Sequence, residues 1–498
     1  MLVAKGILMT VFTTGLGPVE GVAQGDCIRV SRLRYAKPPV GSRRFAMPEP
    51  VGPWSESPAW PGPAVAPPQL PSRLARVIGD YGFEQSEDCL HLDIWIPRES
   101  TGPLPVLVFL HGGAFQTGGG SLECYDGAVL AARERMIVVN VSFRLGLLGF
   151  MSIEGFAPPN LGLHDQIAAL RFIRAEIAAF GGDPWNITLS GQSAGAFSVA
   201  VLMMHPEGRS LFARAIQFSG MFGSGTRNDA QARALEASFL ARLDLDRNKL
   251  ENLRECDISK LLEVQAALTM ETLRSSPPDQ VALPFLPFAD GDIVPESPMA
   301  KFESGVSAWC PLMIGATREE YAAFWFDSGP LAQAAGELLE KRFAEAFPDS
   351  PEAALARARA CRSPRSDLAV LIDFHTQTRM VEPAFRAAAA QAQAGGTAYA
   401  YRFDWQSPNP EIGACHCIEL PFLFGNLDIW QDAPMIAGAR REELEGICDS
   451  VQGAVGSFVR TGDPSPGLGF EWPAYGIEGP VLYVDRLSHC GPSATYPS

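Results

Sequence analysis

The sequence is 498 residues long and contains no run approaching the roughly 20 consecutive apolar residues that cross a bilayer. No membrane span is therefore expected. Positive charge is scarce as well. Forty Lys and Arg stand against 56 Asp and Glu, for a net charge of −16 and a pI near 5.0. The chain has no excess of cations with which to hold nucleic acid or an anionic membrane surface. Cysteines number ten, at positions 27, 89, 124, 256, 310, 361, 415, 417, 448 and 490, with no CxxC pair or repeated spacing. That absence excludes the usual zinc and redox motifs and leaves free thiols as the expectation. A leader is not evident either. The apolar stretch GILMTVF is short and no small-residue cleavage site precedes Gly15, so residues 1–12 read as an N-terminal strand and a cytoplasmic location is expected.

With 47% hydrophobic and 19% charged residues, the composition is that of a globular protein and excludes disorder, collagen and coiled coil. Residues 30–71 are rich in proline and glycine and are expected to be irregular coil, because proline fixes φ and removes a backbone donor. From Leu104 the pattern changes. PVLVFLH, MIVVNVSF, NITLSG, RAIQFSG, PLMIGAT, AYAYRFDW and PVLYVDR are short apolar runs of strand length. Between them lie helical stretches such as LHDQIAALRFIRAEIAAF, LEASFLARLDL, GELLEKRFAEAF and VEPAFRAAAAQAQA. Strands buried on both faces and alternating with helices predict an α/β fold with a mostly parallel central sheet. No linker-like break or internal repeat divides the chain, so one domain over residues 1–498 is expected, with helical insertions from about 225 to 395.

One pentapeptide carries chemistry. Gly191-Gln192-Ser193-Ala194-Gly195 follows the apolar strand NITLS and opens the helical stretch AFSVAVLMM, which is the setting of a nucleophile elbow in an α/β-hydrolase fold. Small residues at 191 and 195 allow a sharp turn that lifts the Ser193 oxygen clear at the edge of the sheet. A carbonyl attacked there develops negative charge. His111-Gly112-Gly113-Ala114-Phe115, after strand PVLVFL, offers the Gly113 and Ala114 amides to that charge, with Ala194 as the third donor.

A base must accept the serine proton, and histidine titrates in the right range. Of the seven histidines, the order nucleophile, acid, histidine leaves 205, 375, 416 and 489. His205 follows the elbow helix too closely. His375 lies in a helical segment and His489 in a polar tail, which leaves His416, in the loop GACHCIELPFLFG, as the best placed. The carboxylate that fixes the histidine tautomer is expected at the end of PLMIGAT, where Glu319 and Glu320 both stand. Spacing does not separate them, and one of the two is expected to be a solvated charge only.

Taken together, these segments resemble the type-B carboxylesterases, which include cholinesterases and bacterial p-nitrobenzyl esterases. YAKPPVGSRRF, EDCLHLDIWIP, HGGAF, FRLGLLGF, NLGLHDQIAALRFI, FGGDPWNITLSGQSAGA, LFARAIQFSG, GATREE and HCIELPFLFGNLD follow in family order over nearly the whole chain. The resemblance implies Glu320 as the triad acid, from the family's GxTxxE, and His416 as the base. It implies Gly113, Ala114 and Ala194 as oxyanion donors, and two structural ion pairs, Arg44 with Glu87 and Arg144 with Asp165. Neither a cofactor nor a metal is implied.

The chain also departs from the family. Cys89 lacks its usual upstream partner, Ser142-Phe143 replaces asparagine-tyrosine, Tyr321 replaces a glycine, and Cys415 and Cys417 flank His416. Closeness in sequence to the expected site nominates Phe115, Met221, Phe222, Tyr321, Phe324, Trp325 and Phe326 for an apolar substrate pocket. The expected partner is a small ester, neutral and hydrophobic. The alternatives are an aryl carbamate or amide on the same residues, or a binding protein of the kind that has lost its serine.

Overall fold

The computed structural model describes residues 2–4, 7–58, 64–100, 102–220, 222–362 and 366–493. Its centre is a 13-stranded sheet. Strands β1 (Leu2–Ala4), β2 (Ile7–Thr14), β3 (Gly17–Gln24) and β4 (Cys27–Arg34) run antiparallel along one edge, and β4 continues onto antiparallel β5 (His91–Pro97). Next come β6 (Leu104–Leu110), β7 (Ile137–Val141), β8 (Gly182–Gln192), β9 (Arg214–Phe218), β10 (Leu312–Thr317), β11 (Ala398–Phe403) and β12 (Val481–Val484), all parallel to one another. Antiparallel β13 (His489–Gly491) closes the far edge. The spatial order is β1-β2-β3-β4-β5-β7-β6-β8-β9-β10-β11-β12-β13.

The strand runs are continuously apolar because both faces are covered. Val106, Val108 and Leu110 of β6 belong to one hydrophobic cluster, while Leu107 and Phe109 between them belong to a second. Since successive side chains of a strand point to opposite faces, the two clusters are the two sides of the sheet. Helices α1 (Leu161–Glu176), α2 (Ala194–Met204), α3 (Asp229–Arg242), α4 (Ile258–Ser275), α5 (Gly329–Ala346), α6 (Asp367–Thr376), α7 (Glu382–Gln393) and α8 (Arg441–Thr461) supply the cover. Every residue of α2 is buried, which is why AGAFSVAVLMM shows no polar face. None of the helices in the described residues is long and apolar enough to cross a membrane.

One expectation about the N-terminal part changes. Residues 2–4 and 7–14 are strands as read, but the coil expected from residue 30 begins only after Arg34, because CIRVSRLR pairs with β5. Beyond it side chains add to short backbone pairings such as Val65–Ala66 with Glu84–Gln85. Arg44 grips Glu87 through Nε at 2.7 Å and Nη2 at 2.5 Å, and its Nη1 donates to the Leu253 and Cys256 carbonyls. Arg144 makes a buried bidentate pair with Asp165, at 2.8 and 2.7 Å. Such forked contacts fix both partners in orientation as well as distance. All ten cysteines are free thiols, Cys89 included.

Candidate active site

The parallel strands deliver their C-terminal ends to one edge of the sheet. β6 ends at Leu110, opposite Gly191 of β8, so the His111 to Phe115 loop emerges beside the GxSxG turn. At that turn Ser193 is held at φ 57° and ψ −117°, a conformation that L residues rarely adopt. The surrounding packing enforces it. A Cβ at Gly195 would lie 2.0 Å from the Leu110 carbonyl oxygen, and one at Gly191 would lie 2.4 Å from the Gly195 backbone. Only glycine at both positions lets α2 sit this close to β6.

Ser193 Oγ lies 2.8 Å from His416 Nε2, and His416 Nδ1 is hydrogen-bonded to Glu320 Oε2. Glu320 Oε1 accepts the Thr317 amide at 2.7 Å, which fixes the carboxylate at the end of β10. The His416 amide in turn donates to the Glu320 carbonyl at 3.2 Å. All three side chains are buried. Burial alone would push the His416 imidazole down, but Cys417 and Glu320 beside it more than offset this and hold it well above its ordinary value. Burial also pushes the Cys417 thiol up.

Glu319 does a different job. It is buried, not solvated as expected: Oε1 pairs with Arg362, and Oε2 accepts Gln406 Nε2 at 2.7 Å and the Ala414 amide at 2.8 Å. Glu319 therefore anchors the loop that carries His416. His111 is similarly structural. Its Nδ1 lies 2.8 Å from the Gly112 carbonyl, its ring stacks on Phe143 at 4.4 Å, and burial pushes it down to about 4, so it is neutral.

Gly113 at φ 109° and Ala114 at φ 56° turn the loop over Ser193. Ala194 opens α2, where helix geometry leaves the first amides without intrahelical acceptors. The Gly113, Ala114 and Ala194 amides donate to no acceptor among the described residues.

A cavity of about 280 Å³ opens onto Ser193, His416, Glu320, Gly113 and Ala114. Of the residues nominated for its wall, Tyr321 and Phe324 line it, with ring centroids 5.9 Å apart. Phe115 and Phe222 do not reach it. Phe115 packs between Phe150 and Phe197 in the core, and Phe222 packs against Phe197 and Phe302. Trp325 lies edge-on to His375, and Phe326 lies under the Arg76 guanidinium. Met221 lies outside the described residues.

The rest of the wall was missed by sequence reasoning. It comes from Leu70 to Leu74, from Gln265 to Met270 on α4, from Val281 and Leu283, and from Met380. Gln192 was also passed over: its Nε2 lies 3.3 Å from His416 Nε2 and 3.4 Å from Cys417 Sγ. So was Glu419, whose Oε1 accepts Ser219 Oγ at 2.8 Å, while its buried Oε2 meets no partner among the described residues. Cys415 and Cys417 form no metal cluster with their neighbours, and no group of three or more His, Cys, Asp or Glu is arranged to hold a metal among the described residues.

Residues 9–487 match the model of the carboxylesterase family. The chain belongs to that family. This carboxylesterase is 36% identical over 471 residues to the para-nitrobenzyl esterase of Bacillus subtilis (strain 168), covering 93% of this chain and 92% of that one. It is 34% identical to the phenmedipham hydrolase of Pseudarthrobacter oxydans, covering 95% of this chain and 94% of the other. A solved structure of a thermophilic PNB esterase superposes with a TM-score of 0.82 at 34% identity, covering 97% of each chain. The fold is that of the α/β-hydrolase carboxylesterases, and the enzyme is a carboxylic ester hydrolase.

Proposed function

We propose that this carboxylesterase hydrolyses hydrophobic carboxylic esters by two-step acyl transfer at Ser193. The observation that carries the reading is the contact of Ser193 Oγ with His416 Nε2 at 2.8 Å, backed by the Glu320 carboxylate on His416 Nδ1. Ser193 Oγ attacks the ester carbonyl and its proton passes to His416 Nε2. The new charge sits on the carbonyl oxygen, facing the Gly113, Ala114 and Ala194 amides. Each such donor is typically worth about a hundred- to a thousandfold in rate. Collapse expels the alcohol, which takes the His416 proton. Water then attacks the acyl-serine by the same route and releases the acid. Glu320 keeps His416 in the tautomer whose Nε2 lone pair faces the serine.

The side chains of Leu70, Val281, Leu283, Tyr321, Phe324 and Met380 favour an apolar acyl or aryl group. The phenmedipham hydrolase relative supports a second reading, cleavage of an aryl carbamate or amide by the same residues. No metal or cofactor enters either scheme. The ten free thiols suit a reducing compartment, which supports placing the enzyme in the cytoplasm.

Kinetics with p-nitrophenyl butyrate and an aryl carbamate test both readings. Ser193→Ala is expected to lower kcat/KM for the ester by about a thousandfold or more. Wild-type kcat/KM is expected to be higher for the ester than for the carbamate, and the opposite order would favour the second reading.

A further inference from the structure

We propose that Arg73 is an anion-binding residue of the substrate cavity, and that the esters this enzyme handles best carry a carboxylate besides their hydrophobic body. The inference rests on the hydrolytic reading above and narrows its substrate class.

Arg73 lines the same cavity as Ser193, Gly113, Ala114 and His416, and it is the one arginine or lysine among the lining residues. The other charged groups there, Glu320 and His416, are committed to each other. Arg73 is not. Its Nη2 donates to the Ala282 carbonyl at 2.9 Å, and no carboxylate lies within ion-pair distance of it among the described residues. A guanidinium has five N–H donors in a fixed fork, so most of its donors remain available.

Some arginines packed into the protein elsewhere are held by carboxylates, whereas Arg214 and Arg227 meet only backbone carbonyl and side-chain amide oxygens among the described residues. Arg44, Arg144 and Arg342 each grip a carboxylate through two nitrogens. Arg73 stands in a crowded setting, and burial by its surroundings lowers its affinity for a proton with no neighbouring charge to oppose the effect. Its side chain nonetheless keeps exposed surface. Crowded yet accessible describes a group that faces into a concavity.

A cation in that position is exposed to the water that fills the cavity and has donors to spare for an anion. A substrate carboxylate would replace that water with charge-assisted, forked hydrogen bonds, while the apolar wall takes the rest of the molecule. The net charge of −16 offers no long-range attraction to an anionic ester, so recognition of one must come from a local cation. Arg73 is the residue placed to supply it.

Three esters separate the possibilities: phenyl butyrate, monophenyl glutarate with its carboxylate on the acyl side, and meta-butyryloxybenzoate with its carboxylate on the leaving side. For wild type, Arg73→Gln and Arg73→Lys, the quantity read is the ratio of kcat/KM for each anionic ester to that for phenyl butyrate. Taking the ratio within each variant cancels any general loss of folding or chemistry. Wild type is expected to favour at least one anionic ester by about tenfold or more, chiefly through KM. The favoured ester shows on which side of the scissile bond the carboxylate sits. Arg73→Gln should collapse the ratio to one or below, and Arg73→Lys should keep part of it. A residue that only straps the 70–74 segment to Ala282 would change the three esters alike.

Turnover of phenyl butyrate with no gain from either carboxylate, or a preference that survives in Arg73→Gln, overturns the role of Arg73 and leaves the hydrolytic reading standing. Failure to hydrolyse all three esters overturns the hydrolytic reading itself.

Discussion

Glu319 and Glu320 are adjacent in sequence, alike in chemistry and opposite in use. The chain turns at the end of β10, so Glu320 reaches His416 while Glu319 reaches Arg362, Gln406 and the Ala414 amide. Their substitutions should therefore fail in different ways. Glu320→Gln removes one of the groups that raise His416 and the carboxylate hydrogen-bonded to its Nδ1. Its kcat/KM is expected to fall by about a thousandfold or more. The acidic limb of its pH–rate profile should move to lower pH, because the imidazole then loses its proton more readily. Glu319→Gln leaves a buried guanidinium short of one carboxylate. It should cost about 2 kcal/mol or more in urea denaturation, with a smaller loss of kcat/KM than Glu320→Gln shows. Equal kinetic losses in the two variants would contradict this division.

At the scale of elements, β8, its turn and α2 form one unit whose geometry is written in glycines. Gly195→Ala places a methyl 2.0 Å from a backbone carbonyl oxygen of Leu110, and neither β6 nor α2 can yield cheaply. A loss of about 3 kcal/mol or more, seen as a lowered thermal midpoint or insoluble protein, is expected. Gly446 is the control: it lies on the exposed face of α8 with nothing within 4 Å of an added Cβ. Gly446→Ala should be neutral or stabilising by roughly 0.5–1 kcal/mol, from helix propensity.

The same contrast explains what the sequence disclosed. The elbow, the HGGAF loop and the His416 loop were legible because backbone turns at strand ends impose residue types at fixed spacings, while the choice of Glu320 over Glu319 in GATREE came only from the family resemblance. The parallel strands were legible because burial on both faces makes their runs continuously apolar. The cavity wall was not. Leu70 to Leu74, the Gln265 to Met270 stretch of α4, Val281, Leu283 and Met380 meet through packing of distant segments, and no local pattern announces that. Phe115 shows the reverse failure, since nearness to the oxyanion loop in sequence does not say which way the ring goes. It turns into the core, between Phe150 and Phe197. Glu319 looked solvated because a charge at a strand end usually is, and its partner Arg362 lies 43 residues away.

For the whole molecule, one buried carboxyl ties stability to pH. Burial and the charge of Glu320 push Glu419 up to about 7 from an ordinary 4.5. Between those values the folded protein holds a proton that the unfolded chain has released, so Glu419's contribution is fully present below about 4.5 and is lost as pH rises through about 7. Thermal midpoints of wild type and Glu419→Gln should diverge in favour of the variant from pH 5 to pH 8 and then run parallel. A gap that does not change with pH would contradict the assignment.

The account turns on a covalent intermediate at one serine. Wild-type enzyme mixed with p-nitrophenyl butyrate, quenched in acid within the burst phase and examined by intact and peptide mass, tests that most directly. A single butyryl group mapped to Ser193, and absent from Ser193→Ala, is the predicted result. An adduct at another residue, or the same burst and adduct in Ser193→Ala, would contradict it.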